Sequence, residues 1–358
     1  MSRTYIIAEA GVNHNGSIEL AKKLVDVAAE AGADAVKFQT FKADKLVVKS
    51  ATKADYQKTL TDKEESQYTM LKKLELSERM HFEIADQCKE KGIDFLSTPF
   101  DTYSLEFLDS VMDVPIFKIP SGEITNGLLL LKMAQTKKPL ILSTGMSTLA
   151  EVEAALAVIA YGYTEKESLN ISSDLFSQAY ASQEGRKVIQ EKVSILHCTS
   201  EYPAPVDEVN LRVMDTLRKS FGLPVGLSDH TQGIAVPIAA VARGAKIIEK
   251  HFTIDKTLSG PDHQASLDPQ ELTNMIKSIR EVELSLGNTI KFPTASEVKN
   301  KEVVRKSLVA NTNISKGEIL TPDNIAVKRP GNGISPMRYW EIVGTTSDRD
   351  YQEGDLIQ

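Results

Sequence analysis

The 358-residue chain is poor in cysteine. Cys88 and Cys198 stand alone and far apart, which excludes a disulfide framework and a cysteine-rich zinc site. No stretch approaches the ~18 uninterrupted apolar residues of a membrane span. The opening MSRTYIIAEAG has one early basic residue but no apolar run long enough for secretion. These absences set the expectation of a protein of the reducing cytoplasm. An excess of positive charge is also missing: 42 lysines and arginines against 49 aspartates and glutamates give a formal net charge of -7. Bulk attraction to nucleic acid or to a membrane surface is therefore not expected, and an anionic substrate must find its positive partners concentrated locally. No internal repeat, low-complexity tract or Gly-rich dinucleotide fingerprint after the first apolar run is present. What remains is an ordinary globular composition, 41% hydrophobic and 25% charged, sufficient to bury a core of normal size.

The apolar residues come in short runs separated by longer amphipathic stretches. The runs are Tyr5–Ala8, Ala35–Phe38, Asp94–Ser97, Pro115–Ile119, Leu140–Ser143, Ser194–His197, Val225–Leu227 and Lys246–Glu249. Each is short, rich in Val, Ile, Leu or Phe, and bounded by Gly, Pro, Ser or Asp, as strands buried on both faces read. Between them Ser17–Ala31 repeats Ile18, Ala21, Leu24, Val25 and Ala28 at helical spacing before Gly32. Arg79–Lys91 before Gly92, and Leu149–Ala160 before Gly162, read the same way. Eight strand-helix pairs predict an α/β fold closed as a (β/α)8 TIM barrel over residues 1–285. Two segments interrupt the rhythm. Ala43–Leu76, long and polar, leaves the end of the second strand and is placed to form a wall or lid. Tyr163–Glu191 reads as a solvated insertion away from the chemistry. A linker is expected at 286–300, and short β-like pieces punctuated by Gly, Pro and Asn predict a small β-rich domain at 301–358.

A (β/α)8 barrel builds its site at the C-terminal ends of the strands. Glu9 and then NHNG follow the first run, and the second contains Lys37 and Gln39. The third ends in Ser97 and Thr98, the fourth in Lys118 and Ser121, the fifth in Ser143-Thr144-Gly145. The sixth ends in His197, Thr199 and Ser200, the seventh in Ser228, Asp229 and His230, the eighth in Glu249 and His251. So varied a set of charged, hydroxyl and imidazole groups at every exit reads as a catalytic mouth. His230 and His251 leave consecutive strands; two neutral imidazoles with water and carboxylate oxygen suit a Mn2+-like or Zn2+-like ion. Neither spacing is a metal motif by itself, and each histidine alone suits a hydrogen-bonded structural role. Lys37 and Lys118 are odd residues for barrel strands, because an ammonium is rarely buried without a partner. Turned to the helix layer they would snorkel; turned inward with Ser and Thr donors, they suit a phosphate and a carboxylate together. Glu9 reads either as base, proton donor or substrate acceptor, or as the salt-bridge partner of Lys37.

The segments AEAGVNHNG, KFQTFKADKL, STPFD, FKIPSGE, LSTGM, LHCTSEYPAP, GLSDHT, IEKHFT, GPDH and KRPGNGISP together resemble the bacterial sialic acid synthase family. The likeness runs in order over nearly the whole chain; any one motif is weak, and their common order makes it specific. The resemblance implies a barrel followed by an antifreeze-like (SAF) domain. It implies condensation of phosphoenolpyruvate (PEP) with the open-chain aldehyde of an N-acylated mannosamine, with water adding and phosphate leaving by C–O cleavage. By motif position, His230 and His251 would hold Mn2+ or Mg2+, which polarises the aldehyde oxygen. Lys37, Thr98, Lys118, Ser121, Ser143 and Ser228 would hold PEP, and Glu9 would handle protons. Gln39, Tyr202 and Asp262 would contact the sugar. Arg329, in KRPGNG, would reach the partner's site across a domain-swapped homodimer; read alone it is a surface arginine in a loop.

Two departures from the family stand out. Ser200 occupies the place where some sialic acid synthases carry an Asn that touches substrate, and Tyr163–Glu191 does not align. The family also contains legionaminic and pseudaminic acid synthases. EAGVNHNG and EYPAPVDEVN resemble the legionaminic enzymes, whereas KFQTFKADKL and GPDH are shared with bacterial sialic acid synthases. The acceptor thus stays open between N-acetylmannosamine and its diacetamido-trideoxy relative. Two readings compete with a nonulosonate synthase. A synthase of deoxyoctulosonate or deoxyheptulosonate phosphate needs extra basic residues for a second phosphate, and the appended domain argues against it. A carbohydrate-binding module without turnover needs neither an electrophilic metal nor so full a set of strand-end groups.

Overall fold

The structure, a computed structural model, describes residues 3–54, 58, 61–62, 65–165 and 171–358. The chain divides into two compact units, Met1–Gly287 and Asn288–Gln358. In the first unit, strands β1 (Tyr5–Gly11), β2 (Ala35–Thr40), β3 (Asp94–Pro99), β4 (Phe117–Ile119), β5 (Leu140–Ser143), β6 (Val193–Cys198), β7 (Val225–Asp229) and β8 (Ile247–His251) form one sheet. Most extend past the apolar run on its C-terminal side, because the polar residues that follow keep the strand alternation. β4 is shorter than its run, since Pro115 has no N–H to give to a ladder. Every pairing is parallel, and β1 pairs with both β2 and β8, the closure a barrel requires. The ladder runs β3-β2-β1-β8-β7-β6-β5-β4, with a TIM-barrel layer of helices outside it.

Strand side chains alternate between the helix layer and the barrel interior. Ile6, Ala8, Val36, Phe38, Leu142 and Ile248 belong to the large core shared with the helices. Ile7, Ala35, Leu96, Ile141, Leu196 and Ile247 form a separate buried cluster that plugs the interior. Two residues further along the same inward parity stand Glu9, Lys37, Thr98, Ser143, Cys198 and Glu249, and with them Lys118 and Ser228. Another step of two brings Gln39, Ser200, His230 and His251. The plug accepts nothing larger than glycine on β7: a Cβ on Gly226 would lie 2.3 Å from the Ile247 carbonyl oxygen and 2.7 Å from Leu196 Cδ2.

The helix Ile18–Ala31 starts at Ser17, whose hydroxyl accepts from the Leu20 amide, and ends at Gly32 with φ 84. The helix Glu78–Lys91 repeats this design between Ser77 and Gly92. The expected stop at Gly162 is a correction. The helix Leu149–Thr164 runs through it, because a Cβ there would lie 2.6 Å from Ala134 Cβ of the neighbouring helix Gly127–Gln135. Gly162 marks a close helix crossing, which sequence spacing does not distinguish from a helix end. The segment read as a solvated insertion is also more than that. Helices Ser173–Ala181 and Gln183–Lys192 pack Leu175, Phe176, Tyr180 and Val188 onto the barrel core, and Phe176 meets Tyr161 edge-on at 5.2 Å between ring centroids. Residues 166–170 of that segment lie outside the described ones.

The second unit pairs β9 (Ser307–Ala310) antiparallel with β10 (Ile325–Lys328) over a small core of Leu308, Ala310, Ile314, Leu320, Ile325, Tyr351 and Ile357. The stretch expected as linker contains the start of a helix, Ala295–Val304, opened by a capping box at Thr294 and Glu297. Among the described residues no helix is long and apolar enough to cross a membrane.

The plug yields a stability prediction. Gly226→Ala forces backbone and side chains apart in a packed interior and costs about 3 kcal/mol, the upper end of ordinary overpacking. Denaturant unfolding reads it; an unchanged midpoint with unchanged slope would remove the close-contact account.

Candidate active site

A cavity of about 480 Å³ opens at the C-terminal ends of the strands. Its floor is an ionic cluster. Lys37 Nζ lies 2.7 Å from Glu9 Oε2 and 3.5 Å from Glu249 Oε2, and also donates to Thr98 Oγ1 at 3.1 Å. Lys118 Nζ meets Glu249 Oε1 at 3.1 Å, and the Ser228 hydroxyl donates to the same oxygen at 2.9 Å. Both lysines therefore point inward, and all four charged groups are buried. The registers explain the meeting: Glu9 stands beside Lys37 on β2 and beside His251 on β8, while Ser228 stands beside Glu249. The two carboxylates are not equivalent. Burial pushes the Glu9 carboxyl up to about 7, with the single close Lys37 only partly opposing it. Burial acts on Glu249 as well, but two lysines and the Ser228 hydroxyl hold it far below the usual carboxylate range. Glu249 is the fixed counter-charge and Glu9 the weaker acid.

Above the cluster stand two imidazoles, with ring centroids 5.4 Å apart. His230 Nδ1 lies 2.7 Å from the Thr199 carbonyl, which can only accept, so Nδ1 carries a hydrogen; burial opposes charge on this ring, but the Cys198 sulfur and the Thr199 carbonyl hold it above its ordinary value. Burial, and then the neighbouring His230 and Lys37, hold His251 well below its ordinary value and keep it neutral. His251 Nδ1 finds no hydrogen-bond partner and lies 3.8 Å from Asp262 Oδ2. Tyr202 stacks on His230 with centroids 4.0 Å apart and meets His251 edge-on at 5.5 Å. Neutral His251, with its unpartnered buried nitrogen, and His230, on giving up any proton at Nε2, fit two ligand positions of a divalent ion. Among the described residues no group of three or more His, Cys, Asp or Glu is placed to hold a metal ion by itself. Such an ion would therefore take its other ligands from water or substrate oxygen.

The remaining sequence-read residues are mostly here. Ser143 is buried with its hydroxyl unpartnered, and the Ser121 hydroxyl accepts from the Gly145 amide at 2.9 Å. Gly145 lies close beneath these hydroxyls: a Cβ there would lie 2.2 Å from Ser200 Oγ and 2.8 Å from Ser121 Oγ, so both would have to turn away. Gln39 reaches toward Glu9 Oε1 at 3.5 Å, and Tyr202 and Asp262 line the cavity. Arg329 belongs to the second unit, where its Nε donates to the Val304 carbonyl at 3.0 Å. The sequence reading named Glu249 at a strand end and gave it no role. Its inward parity, two residues before His251, was the signal that marks it. The segment Ala43–Leu76, expected as a wall or lid, lines the cavity with Met70, Leu71 and Leu74; the reading missed that this wall is apolar and that Val12, Phe41 and Phe100 complete it.

Residues 24–291 match the NeuB family, and residues 305–358 match the SAF domain. The chain belongs to the NeuB family. It is 49% identical, over the whole of both chains, to N,N'-diacetyllegionaminic acid synthase of Campylobacter jejuni. It is 46% identical to the synthase of the same name from Legionella pneumophila, covering 99% of this chain and 93% of that one. Among solved structures, N-acetylneuraminic acid synthetase from Leptospira borgpetersenii, in complex with citrate, superposes with a TM-score of 0.66 at 31% identity, covering 84% of this chain and 90% of that one. The TIM barrel with a C-terminal SAF domain is thus the architecture of a NeuB-family synthase.

The cluster itself can be tested without substrate. Glu249→Gln leaves two buried ammonium groups facing Glu9 alone, and breaking a buried pair costs about 3–5 kcal/mol. Thermal unfolding should fall accordingly, and inorganic phosphate should restore more stability to the variant than it adds to the parent. Equal responses to phosphate would contradict the counter-charge assigned to Glu249.

Proposed function

We propose that this NeuB-family synthase joins PEP to an open-chain diacetamido-trideoxy-mannose, with water, giving N,N'-diacetyllegionaminate and phosphate. The observation that carries the condensation is one cavity holding two desolvated ammonium groups, Lys37 and Lys118, beneath two imidazoles, His230 and His251. The choice of acceptor rests on the likeness to the two legionaminic acid synthases.

In this reading C3 of PEP bonds to the aldehyde carbon, and the carbon bearing the phosphate ester takes the oxygen of water. Phosphate then leaves with the bridging oxygen, so the water oxygen becomes the ketone. Lys37, Thr98, Lys118, Ser121, Ser143 and Ser228 receive the carboxylate and phosphate of PEP. The ammonium groups are already desolvated and oriented, which lowers the reorganisation needed at binding. Glu9, poised near neutrality, exchanges the proton lost by water or gained by the aldehyde oxygen. Gln39, Tyr202 and Asp262 hold the sugar. His230 and His251 would hold a divalent ion, Mn2+ or Mg2+, which would supply positive charge at the aldehyde oxygen. Arg329 acts from a second copy of the chain in a domain-swapped cytoplasmic homodimer.

An acceptor with its own phosphate fits less well. Among the described residues no arginine lines the cavity, and its lysines are Lys37 and Lys118, both already engaged by carboxylates.

Phosphate release is expected only when enzyme, divalent metal, PEP and the amino sugar are all present, with product mass identifying the acceptor. His230→Ala should abolish turnover, and full activity at saturating metal would remove it from the site. Lys118→Ala should raise the KM for PEP at least tenfold more than that for sugar; a parallel rise would contradict its place on PEP. Mixing Arg329→Ala with Glu9→Ala protein should regain part of the activity. No rescue despite demonstrated subunit exchange would exclude the crossed arrangement.

A further inference from the structure

The cavity has two unlike halves. Its floor stands on strand ends and is ionic, whereas one wall is apolar, built mostly by the segment that leaves β2 and completed by Val12 after β1 and Phe100 after β3. Val12, Phe41, Met70 and Leu74 form a buried cluster of their own, apart from the barrel core, with Leu46, Leu71 and Phe100 packed against it. The rings of Phe41 and Phe100 meet edge-on, 6.2 Å between centroids. This small core borders the cavity through Val12, Phe41, Met70, Leu71, Leu74 and Phe100. The segment is rich in charge, yet the charges are engaged elsewhere: Lys72 pairs with Asp44 and Glu75 at 3.2 and 3.1 Å, Lys73 with Glu65, and Lys53 with Glu65 at 3.6 Å. Among the described residues, the side it gives to the cavity is hydrocarbon, with one carboxamide from Gln67.

A wall of this kind discriminates by what it leaves unpaired. A sugar hydroxyl placed against it gives up its hydrogen bonds to water and gains none, whereas a methyl group loses only contact with water. The two acceptors left open by the sequence differ in that respect. N-acetylmannosamine carries hydroxyls at C4 and C6; the diacetamido-trideoxy sugar carries an acetamido group at C4 and a methyl at C6.

We propose that the wall formed by Val12, Phe41, Met70, Leu71, Leu74 and Phe100 determines the acceptor, burying the C6 methyl and the C4 acetamido methyl while Gln67 meets the C4 amide. This deepens the synthase reading and rests on it. It assigns catalysis to the strand ends and acceptor choice to this wall, which the segment after β2 shares with Val12 and Phe100. One methyl or methylene in an apolar pocket is worth roughly 10- to 200-fold in kcat/KM, so two methyls should favour the diacetamido-trideoxy sugar by at least about 100-fold.

The test compares kcat/KM for the two sugars at saturating PEP in the full-length parent, Leu71→Gln and Val12→Thr. The expected result is a parent preference of about 100-fold or more, reduced at least tenfold in Leu71→Gln and about threefold in Val12→Thr. The change should fall on the KM for sugar, with the KM for PEP within twofold of the parent. A parent that uses N-acetylmannosamine equally well overturns the wall as selector and leaves the synthase reading standing. No PEP consumed with either sugar overturns both. If the variants lose activity on the two sugars in parallel, the wall is structural only and the inference fails. Should Leu71→Gln not fold, the nearly isosteric Val12→Thr decides.

Discussion

Inside an eight-stranded barrel, side chains enter only at every second residue of each strand, and the layers they form are too close to water-free for any charge to stand alone. Here the layer above the apolar plug carries Lys37 and Lys118, and their presence requires Glu9 and Glu249 at the same height. Burial of four such charges is not a source of net stability, because the loss of hydration offsets most of the mutual attraction. What the arrangement secures is readiness. Two ammonium groups are desolvated and aimed before any anion arrives, and an entering phosphate or carboxylate meets partners that need little rearrangement. The unequal carboxylates sharpen this. Glu249, held by two lysines, stays charged, while Glu9 sits near neutrality and can take or give a proton without a large energetic gap.

The same parity sets the next layer. His230 and His251 rise one step of two above Ser228 and Glu249, so the imidazoles stand over the ionic floor rather than beside it. The Thr199 carbonyl takes the His230 Nδ1 hydrogen, and burial keeps His251 neutral, so His251 offers a lone pair instead of adding positive charge. A neutral imidazole above two ammonium groups keeps a place for a cation as well as an anion.

Much of this was legible in the sequence because barrel strands advertise themselves. Short apolar runs gave the eight strands, and the polar residue after each run gave most of the cavity floor. The errors have a common cause. Gly162 read as a helix end because a glycine that permits two helices to cross and a glycine that ends a helix look alike in one dimension. Tyr163–Glu191 read as solvated because its apolar residues, Leu175, Phe176, Tyr180 and Val188, are spread thinly among polar ones and converge only when two short helices fold back on Leu149–Thr164. Glu249 lacked a role because a carboxylate's partners, here on β2, β4 and β7, are distant in sequence. Parity along each strand was readable; which strands' inward residues touch across the barrel was not.

The two halves of the cavity also differ in how freely they can change. Every floor residue is tied to a strand whose opposite face packs against helices, so shifting one by a single position would turn the whole strand inside out. Most of the wall has no such tie: Phe41, Met70, Leu71 and Leu74 belong to a segment inserted after β2, with a hydrophobic cluster of its own and with Lys72 and Lys73 paired to carboxylates within it. Exchanging a leucine there for a polar residue leaves the barrel register untouched. A family that keeps one condensation and varies the sugar would be expected to hold the strand ends constant and place the variation where packing permits it. The long polar segment between β2 and β3, which interrupts the barrel rhythm, is such a place.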